Sequence, residues 1–122
     1  MRLLALIGVL TLMVASGAMA QAQMTVREFN QIAANAPRDP SAFLRPSVRR
    51  AATATQNAFE AARAEEAAAR RAGRTPPYCM PERIRLSPDE IVARMQAVPA
   101  ARQNQTLNQA VRSWMVERYP CR

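Results

Sequence analysis

The sequence predicts an all-α protein, a small bundle of four to five helices with one disulfide joining the start and the end of a C-terminal helical hairpin. Three observations lead there. Apolar residues recur at intervals of three and four, and no alternating run suggests a strand. Helix starts are marked by cap residues followed by acids or proline. The stretch Ser47 to Ala72 holds 11 alanines in 26 residues, and that propensity alone favours helix strongly.

The N-terminus reads as a secretory signal over residues 1–20. Met1-Arg2 is a minimal basic start, Leu3 to Val14 carries no charge, and Ala18-Met19-Ala20 fits the small-x-small rule for cleavage after Ala20. The competing reading is a retained membrane anchor, because Leu3 to Ala20 approaches the roughly 20 apolar residues of a span. The run weakens into Ala-Ser-Gly-Ala and a cleavage site follows, so cleavage is the preferred expectation. No Cys stands at that site to accept a lipid. Residues 21–122 then form a single all-helical domain with no membrane span.

Within that domain, Thr25-Val26-Arg27-Glu28 reads as a capping box opening a short helix. Val26, Phe29, Ile32 and Ala33 share one face of it, and it ends before Pro37. Asp39-Pro40 is a second start, a turn or short helix through Phe43 and Leu44 that Pro46 interrupts. The long helix Ser47–Ala72 ends at Gly73, with Arg70 and Arg71 placed well for its C-terminal dipole. Its apolar stripe runs Val48, Ala52, Thr55, Phe59, Ala62 and then meets Glu66, so the second half is expected to project into water. Pro76-Pro77 makes a stiff connector. Ser87-Pro88-Asp89-Glu90 combines an N-cap, a first-turn proline and acids, and the helix after it buries Ile91, Met95 and Val98 before Pro99. Ala100 to Gln105 is a polar loop. From about Thr106 a last helix places Leu107, Ala110, Val111, Trp114 and Met115 on one side, and Tyr119-Pro120-Cys121 stops it.

Cys79 and Cys121 lie 42 positions apart, and export places them where disulfides persist. A bridge is preferred over two buried thiols because the core is thin, with aromatics at 5% of the chain. On the chain-entropy account, closing such a loop contributes about 4 kcal/mol.

Composition also excludes chemistry. There is no His, which removes the usual general base, triad member and metal ligand. Glu28, Asp39, Asp89 and Glu90 serve predicted helix starts, and Glu60, Glu65 and Glu66 stand at pairing distance from Arg63, Arg70 or Arg71 along the long helix. None of the three glycines belongs to a phosphate-cradling loop. The expectation is no enzyme, no catalytic residue, no metal and no cofactor. A net charge of +8, all of it carried by arginine, suits an anionic partner or simply a solvated face. Export and the interspersed glutamates argue against nucleic acid. Asn104-Gln105-Thr106 matches a glycosylation acceptor, a motif frequent by chance.

Residues 78–121, from Tyr78-Cys79-Met80-Pro81 through Tyr119-Pro120-Cys121, resemble the Rap/Tai family of small periplasmic immunity proteins associated with type VI secretion. The shared pattern is aromatic-Cys-x-Pro, a capped helix ending near a proline, a polar loop, a last helix and a terminal aromatic-Pro-Cys. The first half departs from it, having no Cys across residues 21–77 and an Ala/Arg-rich helix where such proteins carry a more hydrophobic one. The resemblance implies a periplasmic, compact helical protein, often a homodimer, that binds and blocks a secreted peptidoglycan-cleaving amidase effector. It also implies an inhibitory loop, which falls here on Arg102, Gln103, Asn104 and Gln105. The alternative is a periplasmic structural or chaperone-like protein without a single cognate enzyme.

Overall fold

The computed structural model describes residues 23–122; the expected signal at 1–20 lies outside them. Four α-helices and two short 3-10 turns follow one another, and no strand occurs among the described residues beyond one isolated antiparallel bridge between Thr25 and Thr106. The order is α1 (Val26–Asn35), a 3-10 turn (Pro40–Leu44), α2 (Pro46–Arg71), α3 (Pro88–Gln96), a second 3-10 turn (Ala100–Arg102) and α4 (Leu107–Arg118). None of these helices is long and apolar enough to cross a membrane.

The caps explain the boundaries. Ser87 and Glu90 form the full reciprocal box at the start of α3, and Thr106 with Gln109 does the same for α4. At α1 only half of the expected box forms: Thr25 accepts the Glu28 N–H, while the Glu28 carboxylate turns to Arg50 on α2. A strong cation within reach outcompetes the main-chain donor. Pro46 both ends the first 3-10 turn and opens α2, where its missing N–H costs nothing. Gly73, at φ 70°, ends α2 in the paired arrangement of a Schellman motif: its own N–H reaches the Arg70 carbonyl and the Arg74 N–H reaches that of Ala69.

The pairing of helices follows from where the apolar faces lie. α4 packs most extensively on α2, and α3 packs on α1. Tyr78, Met95, Met115, Val26 and Val111 are fully buried at the centre. The predicted faces of α1, α3 and α4 all turn inward, with Ile32, Ala33, Ile91 and Val98 at the margin of the core. Phe59 meets Trp114 edge-on, ring centroids 6.0 Å apart.

α2 corrects one expectation. Its buried stripe is Ala51, Thr55, Ala58, Ala62, Glu66 and Ala69, so the second half packs as the first does and does not project. The reason is the chain's return across it. Tyr78 lies against this half and its hydroxyl donates to the Ala62 carbonyl at 2.8 Å, with the Glu65 carboxylate 3.1 Å from the same oxygen. Glu66 interrupts the apolar pattern yet is buried because its carboxylate accepts the Met80 N–H at 3.2 Å and pairs with Arg70 at 3.0 Å. A buried carboxylate is tolerated when its lone pairs are filled in this way. Of the expected pairs along α2, Glu66 with Arg70 forms. Glu65 instead reaches Arg112 on α4, and Arg63 donates to the Pro81 and Glu82 carbonyls.

Cys79 and Cys121 are bridged, with Cα atoms 4.9 Å apart. Beside the bridge the Cys79 N–H donates to the Tyr119 carbonyl at 2.7 Å, so the two ends of segment 78–121 are joined by main chain as well as by sulfur.

Candidate binding surface

The polar segment after α3 is more ordered than its composition suggests. Pro99 opens a single 3-10 turn in which the Arg102 N–H bonds to the Pro99 carbonyl at 2.8 Å, and the Gln105 N–H bonds to that of Arg102 at 3.1 Å. The segment also serves α1. The first helical N–H groups have no partner within their own helix, and here those of Val26 and Arg27 donate to the carbonyls of Gln105 and Gln103, at 3.0 and 2.9 Å. In return the Leu107 N–H, at the start of α4, donates to the Met24 carbonyl at 2.9 Å. Two helix N-termini are thus satisfied by each other's leading segments.

This bracing divides the expected binding residues into two kinds. Gln103 is half-buried and its side-chain amide donates to the Val98 carbonyl at 3.1 Å; Gln105 is also half-buried. Arg102 and Asn104 are exposed. The exposed pair stands on a backbone held from both sides, so its position is fixed while its polar groups stay available.

Beside Arg102 lies a shallow groove of about 150 Å³, floored by Met95, Val98, Pro99 and Ala110 and edged by Arg94, Arg102 and Ser113. Arg94 lies over the Trp114 ring, 5.7 Å from its centroid, and pairs with Glu117 on α4. That pairing, followed by the nearby positive charge, holds the Glu117 carboxyl below its usual range. Arg94, Ser113 and Glu117 come from two helices and were not among the residues expected from sequence. No local spacing signals them, because their proximity depends on how α3 and α4 meet.

The disulfide lies elsewhere, joining the residues after α4 to the connector that follows α2, where Arg70 stands beside the Cys79 sulfur. A second depression, about 370 Å³, opens between α1 and the start of α2 and is edged by Glu28, Asn35, Arg45 and Arg50. Among the described residues no group of His, Cys, Asp and Glu is gathered as metal ligands would be.

Comparison with protein-family profiles, characterised proteins and solved structures finds no match to this chain.

Proposed function

We propose that the chain is a periplasmic, non-enzymatic binding protein that neutralises a peptidoglycan-cleaving amidase, using Arg102 and Asn104 as its contact residues and the adjoining groove as a seat for a side chain of the enzyme. One observation carries this reading: two exposed polar side chains stand on a turn whose carbonyls are anchored to α1, next to a concave surface. An inhibitor gains by such pre-ordering, because a flexible loop loses part of its interaction energy when it becomes fixed on binding. The resemblance of residues 78–121 to periplasmic immunity proteins supplies the class of target, and a disulfide agrees with an oxidising compartment.

The test is a pull-down of a secreted amidase encoded beside this gene, with Arg102→Ala/Asn104→Ala against the parent chain. Expected is a loss of affinity of about tenfold or more, as for truncation of central interface residues, with circular dichroism unchanged. Equal affinity would reject this surface. Failure of the parent chain to bind any secreted amidase, or to protect cells exporting one, would reject the function.

A further inference from the structure

We propose that the 3-10 turn Pro40–Leu44 is a peripheral docking point for a bilayer carrying anionic lipid headgroups. Phe43 and Leu44 are 54% and 75% exposed, more than any other large apolar side chain among the described residues. Their surroundings are cationic. Arg38 precedes the turn, Arg45 closes it and Arg49 lies in the first turn of α2; all three are exposed, and none is paired with a carboxylate among the described residues.

Two of these cations are fixed by main-chain carbonyls, one of them at the apolar tip. The Arg45 guanidinium donates to the Asn35 carbonyl at the end of α1, at 3.0 Å, and that of Arg49 to the Leu44 carbonyl, at 3.2 Å. Each guanidinium carries five N–H donors, so both keep donors for a phosphate. Arg50 is already engaged by Glu28, and the Asp39 carboxylate caps the turn by accepting the Ser41 N–H at 2.8 Å. The local balance stays positive.

The turn's backbone also suits the interface. The Ala42 N–H bonds to the Asp39 carbonyl, the Arg45 N–H bonds to that of Ala42, and Pro40 has no donor to leave unpaired. Apolar side chains beside arginines, on a backbone with few open donors, match the headgroup–acyl boundary, where apolar burial and attraction to anionic lipid act together. A second copy of the chain fits worse. A two-fold contact through this tip sets each arginine cluster against its own image.

Flotation tests the proposal, using the full chain as recovered from its host with wild type and variants matched by intact mass. The vesicles are phosphatidylglycerol mixed with phosphatidylcholine, or phosphatidylcholine alone. Expected is binding to the mixed vesicles that weakens with salt, drops about fivefold for each of Arg38→Gln and Arg49→Gln, and is largely lost in Phe43→Ser/Leu44→Ser with helix content unchanged. Equal flotation of Phe43→Ser/Leu44→Ser and wild type overturns it, as does wild type that fails to float or floats equally with neutral vesicles. Conversion of a dimer to a monomer by Phe43→Ser/Leu44→Ser, without a change in flotation, overturns it in favour of an interface between copies.

Discussion

Tyr78 shows how a single side chain organises its neighbourhood. Its ring is fully buried, and its hydroxyl lies between the Ala62 carbonyl and the Glu65 carboxylate. Burial first, then the hydrogen bond and charge of Glu65, raise its pKa well above the ordinary 10. The phenol must stay neutral to remain in place. Stability from this group is therefore complete below about pH 10 and declines as pH rises from there toward the raised folded-state value, because the unfolded chain releases the proton first. Urea unfolding as a function of pH should show that alkaline loss, and Tyr78→Phe should remove it at a cost of about 1 kcal/mol at neutral pH. Glu66→Ala should cost more, about 1–3 kcal/mol, because it leaves the buried Met80 N–H without an acceptor. A loss within 0.5 kcal/mol of zero would show that water replaces the carboxylate there. Neither role was legible in the sequence. Glu66 reads as the end of an apolar stripe, and nothing local indicates that residues 78–80 return across it. Cys79 and Cys121 were legible as a pair because the chain holds only two cysteines.

At the scale of elements the sequence was more informative. Ser87-Pro88-Asp89-Glu90 and Asp39-Pro40 mark helix starts by chemistry confined to four residues, and both starts form as expected. The exposed or buried state of a whole helix half is a different matter, since it depends on what packs against it. In α2 the inward residues are mainly alanines, which are common on the outward face as well, so side-chain size carries no signal of the face. The small inward side chains let α4 approach closely. Ala58→Leu, on the buried face, should therefore destabilise by about 1–3 kcal/mol through overpacking. Ala61→Leu, one turn on and exposed, should stay within about 0.5 kcal/mol of wild type. Thermal unfolding of the two variants separates them, and equal effects would mean that the α2–α4 contact is looser than the structure describes.

For the molecule as a whole, the bridge between Cys79 and Cys121 supplements a core built on alanine and methionine. Cys79→Ser/Cys121→Ser should lose about 2–5 kcal/mol in urea unfolding. A smaller loss would assign the closure to the main-chain bond between Cys79 and Tyr119, which survives the substitution. The mutual capping of α1 and α4 has a further consequence, for timing. A nascent chain leaves the ribosome N-terminus first, yet the donors of Val26 and Arg27 wait for the carbonyls of Gln105 and Gln103, and Cys79 waits for Cys121. Such distant closures require the intervening loop entropy to be spent before any return is gained, which slows folding. The helix that is made first is thus among the last to be closed, and its N-terminus stays frayed until the segment at 103–105 has been added.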